Sequence, residues 1–202
     1  MQKKKRKAKK RRTTSETDIM VNLTIDGKGD SKIKTGIPFL DHMLTLFAKH
    51  GLFDLEIKAK GDLEVDMHHT NEDIGIALGK AFEKALGKKE GIRRFGEKTV
   101  PMDEALVRVV VDISGRPFLN SSWADIDLET KDTECYTMQS ARHFFQSMVN
   151  NFPITMNISV LSVGFDLHHL IEATFKATAK ALDEATQIDP RVKGVPSTKG
   201  RL

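Results

Sequence analysis

The sequence predicts an α+β fold made of two similar halves, each with the element order β-β-α-β-α and with helices on one face of a sheet. One observation is a phrase, H-H-x-x-E, that begins at position 68 and again at position 168. Another is a single histidine upstream of each phrase, His42 in the first half and His143 in the second. Strand-like and helix-like patterns also recur in the same order around both sets, which indicates an internal duplication.

Hydrophobic periodicity predicts the elements of the first half. Apolar and polar residues alternate over 19–25 and 53–59, which is typical of strands, and 31–35 follows a turn as a shorter strand. Asp41 is placed to cap a helix over about 40–50 that carries His42, and Gly51 ends it. The first H-H-x-x-E phrase opens another helix, which we expect to end near Gly87.

The second half repeats this order. Residues 105–113 are rich in β-branched side chains and predict a central strand, 118–123 predict a weaker strand, and 124–133 predict a polar connection. Helical spacing over 134–151 places His143 on a helix, and 154–163 form the next strand. The second phrase opens a helix that continues to about Ile188. We therefore divide the domain into halves at about 12–100 and 101–202.

Length and composition are those of an ordinary globular chain. It has 202 residues, of which 39% are hydrophobic and 30% charged. No stretch approaches eighteen apolar residues, and the N-terminus lacks the apolar core of a secretory signal, so we expect no membrane association. The single Cys135 excludes an internal disulfide and fits a reducing compartment, so we expect the cytoplasm.

A run of cations dominates the N-terminus. Residues 3–12 carry nine positive charges, and without them 23 basic residues stand against 28 acidic ones. Such a run repels itself, so we predict that residues 1–11 form a disordered tail. The absence of aromatic residues in it counts against specific nucleic-acid binding. A solvated tail, a targeting signal and a misassigned start codon are alternative interpretations.

The repeated phrase has the chemistry of metal ligands. Residues i and i+4 share a helix face, so the first His and the Glu of each phrase point the same way. A lone histidine is more often an ordinary core or surface residue, but two matched sets favour metal binding. Eight N and O donors without thiolates suit two divalent ions such as Mn, Fe or Zn. The two sets, grouped by sequence, are His42, His68, His69 and Glu72, and His143, His168, His169 and Glu172.

Three Gly-containing turns each carry a cation. They contain Arg94, Arg116 and Lys199, the last with Ser197 beside it. Cations and backbone N–H groups at such turns suit a phosphate. Each one alone is more often a solvated surface charge, and only together with the metal phrase do they indicate an anionic substrate.

These motifs together resemble the imidazoleglycerol-phosphate dehydratase family. They are F-L-D-H-M at 39–43, D-M-H-H-T-N-E-D at 66–73, R-F-G at 94–96, P-M-D-E-A at 101–105, D-I-S-G-R-P at 112–117, H-H-L-I-E-A-T-F-K-A at 168–177 and P-S-T-K-G at 196–200. The likeness covers about residues 12–202. It implies a fold like domain 2 of ribosomal protein S5, a 24-subunit shell built from trimers, and two Mn ions per site between neighbouring subunits.

The resemblance also implies roles for individual residues. All eight His and Glu residues named above would be metal ligands. The implied substrate or phosphate contacts are Glu16, His50, Arg94, Arg116, Lys176, Ser197 and Lys199. The chain departs from the family pattern at 156–158, which lack a histidine, and in a longer loop at 162–166. Neither change falls at a ligand position, so we expect altered interactions of the residues that surround the metal ligands rather than loss of activity.

The implied reaction is the dehydration of imidazoleglycerol phosphate to imidazoleacetol phosphate in histidine biosynthesis. In our hypothesis two Mn ions hold the ring as an imidazolate, which expels hydroxide from the adjacent carbon, and the resulting diazafulvene acidifies the neighbouring C–H. Glu16 is the expected catalytic proton shuttle, with Glu172 as a ligand that assists. Two rival functions are a dimetal phosphoester hydrolase and a non-catalytic nucleic-acid-binding protein of S5-like fold.

Overall fold

The computed structural model describes residues 5–123 and 136–202, and these contain eight strands and four helices. The strands are β1 (Lys7–Thr13), β2 (Thr17–Thr24), β3 (Ser31–Lys34), β4 (Asp54–Gly61), β5 (Phe95–Met102), β6 (Ala105–Asp112), β7 (Phe118–Ser121) and β8 (Thr155–Ser162). The helices are α1 (Pro38–Gly51), α2 (His68–Leu86), α3 (Met138–Asn151) and α4 (Leu167–Thr186). No helix within these ranges is long and apolar enough to cross a membrane.

The two halves have the same sheet topology. One sheet has the strand order β1-β2-β4-β3 and the other β5-β6-β8-β7. In both, the first three strands are antiparallel neighbours and the last pair is parallel. Val21 faces Ile57 across the first sheet, and Val109 faces Ile158 across the second. The predicted internal duplication and α+β class are therefore confirmed.

The helices cover one face of each sheet and pack against each other between the halves. Helix α2 lies on β1 and β2, and α4 lies on β5 and β6. Across the interface between the halves, α1 packs against α4, and α2 against α3. Phe82 of α2 stacks on Phe152 at a ring-centroid distance of 5.4 Å, and both are fully buried. One continuous hydrophobic core therefore joins the halves.

The first strand of each half was not predicted. The order in each half is β-β-β-α-β-α, and the prediction that residues 1–11 form a disordered tail is wrong for 7–11, which lie in β1. Both β1 and β5 are edge strands, so neither needs a strong apolar pattern. In β1 only Ala8 is buried. Self-repulsion is relieved because acidic partners neutralise several of the cations: Arg6 pairs with Asp26, Arg11 with Asp18 and Arg12 with Asp73.

Most other bounds agree with the predictions to within a few residues. The predicted boundary between halves, near residue 100, falls inside β5, and the sheets instead divide between Leu86 and Phe95. Helix α3 begins at Met138, where Thr137 and Ser140 form a capping box. The predicted polar connection, 124–133, lies outside the described residues.

Candidate metal and substrate site

The first metal-type cluster joins α1 to the start of α4. Nε2 of His42 and Nε2 of His168 lie 3.2 and 3.3 Å from the same oxygen, Oε2 of Glu172. One donor atom from each of the three residues lies within 4.8 Å of the others. Glu172 is buried, with 7% of its side chain exposed, whereas His42 is half exposed. The three donors therefore converge where the interface between the halves reaches the protein surface.

A quasi-equivalent cluster joins α2 to α3. The rings of His68 and His143 meet edge to face at a centroid distance of 5.0 Å. Oε2 of Glu72 lies 3.7 Å from Nε2 of His68, one helical turn away. Glu72 is more open than Glu172, because 45% of its side chain is exposed.

The structure brings the candidate ligands together across the two halves rather than in the sets given by sequence. His42 was grouped with the phrase at 68, and His143 with the phrase at 168, but each contacts the phrase of the other half. The reason is the helix packing, since α1 lies against α4 and α2 against α3. Each cluster therefore needs both halves of the chain.

An aspartate positions the first histidine of each phrase. Oδ1 of Asp66 accepts the backbone N–H of His68 at 2.7 Å, and Oδ1 of Asp166 accepts that of His168 at the same distance. Side-chain oxygens at this position satisfy N–H groups that a helix leaves unpaired in its first turn. The helices begin at His68 and Leu167, so the ligands of both phrases extend from the first turns.

The second histidine of each phrase belongs to a separate group of donors and is bound by a carboxylate. Nδ1 of His69 lies 3.0 Å from Asp62, and Nδ1 of His169 lies 2.9 Å from Glu104. An ionised carboxylate only accepts, so Nδ1 carries the proton and Nε2 is left as the metal-binding atom. Asp62 and Glu104 were not predicted as site residues, although Glu104 lies within the P-M-D-E-A motif.

These hydrogen bonds shift the pKa values in opposite directions. The bond to Asp62 raises the pKa of His69, and the bond to Glu104 raises that of His169. The bond to His69 lowers the pKa of Asp62. Backbone N–H groups, with His169, lower the pKa of Glu104 to about 2. Both carboxylates are therefore ionised at neutral pH.

The loop in which this chain departs from the family pattern wraps around Glu104. Oε1 of Glu104 accepts the backbone N–H groups of Phe165 and Asp166 at 3.3 and 3.1 Å. Gly164 has φ +70°, and a Cβ there would lie 2.4 Å from Cγ of Glu104. The loop therefore holds Glu104 and, through it, His169.

Glu16 lies in the hairpin between β1 and β2, beside His69. Its Oε2 is 3.6 Å from Nδ1 of His69, and 51% of its side chain is exposed. Asp62 belongs to the same group of converging donors. Within residues 5–123 and 136–202 the Glu16 carboxylate accepts no hydrogen bond, in contrast to Glu104 at the equivalent hairpin of the other half.

Lys176 lies beside the cluster of His42, His168 and Glu172, apart from the other cations that were predicted to bind substrate. Its Nζ forms an ion pair with Oε1 of Glu172 and lies 3.6 Å from Sδ of Met102. Burial opposes ionisation of Glu172, but Lys176 and the two histidines outweigh it, so its pKa is below the ordinary value. The Lys176 Nζ is thus placed beside the ligands.

The remaining predicted anion-binding residues come together in one cavity. Its volume is about 200 Å³, and it is lined by Arg94, Ser114, Arg116, Ser197, Thr198, Lys199, Arg201 and Leu202. Arg94 is largely committed, because it forms a bidentate pair with Asp112 at 2.7 and 3.1 Å and donates to the Pro196 carbonyl at 2.9 Å. Arg116 and Lys199 are exposed. They are the cations best placed to meet an anion.

His50 lies in the last turn of α1. Burial and the nearby charges of Lys176 and Lys180 lower its pKa, so it is neutral at pH 7. It belongs to none of the three groups of converging donors found among the described residues.

The donor sets fit a hard or borderline divalent cation. Each consists of imidazole nitrogens and carboxylate oxygens, and the described part of the chain contributes no thiolate. Each intrachain cluster supplies two histidines and one glutamate. Further ligands are needed to complete a coordination shell, and His69 and His169 are the two remaining histidines of the repeated phrase.

Comparisons with known proteins agree with this geometry. A family model described as imidazoleglycerol-phosphate dehydratase matches residues 35–182. The imidazoleglycerol-phosphate dehydratase of Thermoanaerobacter pseudethanolicus is 58% identical over 98% of this chain and 100% of that protein. The one from Geobacter metallireducens is 52% identical over 98% of this chain and 99% of that protein. These alignments span most of the basic N-terminal run, which includes β1.

Solved structures show the same fold. The crystal structure of IGPD from Pyrococcus furiosus superposes with a TM-score of 0.81 at 40% identity, over 96% of this chain and 100% of that one. The crystal structure of imidazoleglycerol-phosphate dehydratase from Staphylococcus aureus gives 0.79 at 37% identity, over 91% and 99%.

Proposed function

The chain belongs to the imidazoleglycerol-phosphate dehydratase family, and on that premise we propose that it dehydrates imidazoleglycerol phosphate to imidazoleacetol phosphate in histidine biosynthesis. It is accordingly a hydro-lyase, and we expect it to act in the cytoplasm. The observation that carries the proposal is the pair of crossed His-His-Glu clusters in one chain that also contains a cationic cavity. A hydrolase of the same fold would explain the ligands but has no support from the relatives.

We assign two divalent ions, Mn in the first instance, to the His and Glu residues. His42, His168 and Glu172 would hold one ion, and His68, His143 and Glu72 the other. When bound, the ions supply Lewis-acid polarisation of the imidazole ring of the substrate. Support comes from the N and O donor chemistry of both clusters, the first with three converging donor atoms and the second with two adjoining histidines and a glutamate one helical turn away.

We further propose that copies of the chain complete each other's sites. The bonds at Nδ1 leave Nε2 of His69 and of His169 as the metal-binding atom, and neither histidine belongs to a His-His-Glu cluster of its own chain. Addition of one such histidine from a neighbouring copy gives each cluster a fourth protein ligand. Trimers and a 24-subunit shell, as the family resemblance implies, are the assembly we expect.

The phosphate of the substrate would bind in the cationic cavity. Arg116 and Lys199 supply charge, Ser197 supplies a hydroxyl, and Arg94 orders the C-terminal segment through Pro196. Lys176 would leave Glu172 and turn to the substrate once that carboxylate binds a cation. Remote binding of the phosphate then places the reacting carbons.

Glu16 is the proposed proton shuttle. The departing hydroxyl takes a proton and leaves as water, while a carboxylate removes the proton from the neighbouring carbon and the resulting enol becomes the ketone. Glu16 is exposed and accepts no hydrogen bond from the described residues, whereas Glu104 is held by two backbone N–H groups and His169. Glu172 is buried between two histidines and a lysine, which suits a ligand that assists.

Stripping of metal and reconstitution with Mn tests this function. The protein is given imidazoleglycerol phosphate, and the ketone product and inorganic phosphate are both measured. We expect ketone only when metal is restored, and loss of turnover in Glu16→Gln with unchanged metal content. Glu90→Gln, at an exposed loop position, is the matched control. Release of inorganic phosphate without ketone would overturn the dehydratase assignment, and full activity of Glu16→Gln would move the proton transfer to another group.

A further inference from the structure

Asp73 is a buried carboxylate that ties helix α2 to the hairpin that carries Glu16. It directly follows the ligand Glu72, and its side chain is 9% exposed. Oδ1 of Asp73 accepts from Nε of Arg12 at 2.6 Å, and Oδ2 accepts from Oγ1 of Thr17 at 2.5 Å. Arg12 lies near the end of β1 and Thr17 is the first residue of β2. The two oxygens of one carboxylate therefore hold both arms of the hairpin.

The contacts of Asp73 with Arg12 and Thr17, here called the anchor, restrict the position of Glu16. The hairpin turn is internally ordered, because the Thr14 hydroxyl accepts the backbone N–H groups of Glu16 and Thr17 at 3.1 and 3.0 Å. Glu16 thus belongs to a stiff turn whose two ends bind Asp73. Since Asp73 and His69 lie on the same helix, the anchor also fixes Glu16 relative to His69.

The duplication provides an internal comparison. In the second half the residue after the ligand Glu172 is Ala173, which has no carboxylate. The hairpin there carries Glu104, which is held by His169 and by the loop at 165–166. The fold therefore packs this position without an ion pair. At this position a buried carboxylate occurs in the half whose hairpin glutamate accepts no hydrogen bond from the described residues, and an alanine occurs in the half whose hairpin glutamate accepts several. This difference favours a role in positioning over a general need of the fold.

We propose that Asp73, held by Arg12 and Thr17, is a positioning residue for the Glu16 carboxylate. This inference rests on the proposed function, because positioning of Glu16 by Asp73 affects the reaction only if Glu16 transfers the proton. It also gives the basic N-terminal strand a role in the reaction, through Arg12.

A double-mutant cycle between Asp73 and Glu16 tests the proposal. Asp73→Asn keeps the shape and removes the charge that holds Arg12. We expect kcat to fall on the order of 10- to 100-fold, with KM changed by no more than about 2-fold and metal content unchanged, because misplacement of a reacting group costs rates of this size. In a Glu16→Gln background, Asp73→Asn should reduce the residual kcat no further. Where that residual rate is too low to measure, Glu16→Asp replaces it.

Two further variants separate the possible outcomes. Arg12→Gln leaves Asp73 bonded to Thr17 and should lower kcat as Asp73→Asn does. This variant keeps the proposal testable if Asp73→Asn does not fold. Arg11→Gln, which removes the exposed pair with Asp18, is the matched control and should leave kcat within about 2-fold. Equal losses in the presence and absence of Glu16 would overturn the inference, as would normal kcat in both Asp73→Asn and Arg12→Gln. Normal kcat in Glu16→Gln alone would instead contradict the proposed shuttle.

Discussion

Nε2 of His42 lies 3.2 Å from Oε2 of Glu172, although 130 positions of the chain separate the two residues. The contact crosses between the duplicated halves, and the pair His68–His143 crosses in the same way. Neither of these two His-His-Glu clusters is therefore formed by one half alone. Binding of an ion to either cluster should favour the packing of α1 on α4 or of α2 on α3, because an ion that binds only the folded state stabilises it.

The crossed pairing predicts which ligand substitutions are coupled. His42→Ala and His168→Ala remove donors from one ion, so their effects on Mn affinity should be strongly non-additive in the double variant. His42→Ala and His68→Ala act on different clusters and should be nearly additive. Equilibrium dialysis with Mn and metal analysis measures both. Additivity of His42 with His168, and coupling of His42 with His68, would restore the grouping by sequence.

Asp62 and Glu104, which bind Nδ1 of His69 and His169, should raise the affinity of these histidines for a metal without contacting the ion. Asp62→Asn and Glu104→Gln weaken the hydrogen bond at Nδ1 of His69 and His169, and an affinity loss on the order of 10- to 100-fold is expected for such changes. Isothermal titration with Mn provides the affinities, and nitrogen chemical shifts of the metal-free protein report the tautomer.

Asp54→Asn provides a matched control for these two variants. Among the described residues, the Asp54 carboxylate accepts hydrogen bonds only from the backbone N–H groups of Lys28 and Asp30. The substitution should leave Mn affinity unchanged. Unaltered affinity and tautomer in both Asp62→Asn and Glu104→Gln would contradict a role for these carboxylates at the metal.

The cationic cavity predicts a separation of binding from chemistry. Arg116→Ala and Lys199→Ala should raise KM for the phosphorylated substrate more than they lower kcat, because both cations line the cavity and neither is a candidate metal ligand. Arg94→Ala should also lower the thermal midpoint, since Arg94 bonds to both Asp112 and Pro196. Lys193→Ala, on an exposed stretch outside the cavity lining, is the control. Equal KM values for Arg116→Ala and wild type would place the phosphate elsewhere.

The hairpin that carries Glu16 should lose stability in acid. Hydrogen bonds from Arg11 and Thr13 lower the pKa of Asp18 from 3.8 to about 2. A lowered pKa stabilises the folded state above the unfolded value, so this contribution is complete above pH about 4 and is lost as the pH falls towards 2. The wild type should therefore be more stable than Asp18→Asn at pH 6, and the difference should shrink as the pH approaches 2. Urea unfolding followed by the single buried Trp123 measures it, and a pH-independent difference would refute this linkage.

Local patterns in the sequence predicted those elements whose buried face is apolar. The alternation of Ile19, Val21 and Leu23 places a strand directly, and the helices that open with H-H-x-x-E have clear apolar stripes. Strand β1 had no such pattern, because an edge strand made of basic residues is stabilised by pairing with β2 and by acidic partners distant in sequence. Charge repulsion within a run is a local property, and its neutralisation is a tertiary one.

By itself the sequence determined the candidate ligands, the cationic turns and the duplicated α+β class, because each is encoded in residue type and short-range spacing. Tertiary structure alone decided that His42 meets Glu172 rather than Glu72, that Arg94, Arg116 and Lys199 line one cavity, and that Asp62 and Glu104 orient the second histidines. It also placed Asp73 between Arg12 and Thr17. The physical reason is that the first helix of one half packs against the second helix of the other half. A repeat in the sequence does not reveal which partner each helix contacts.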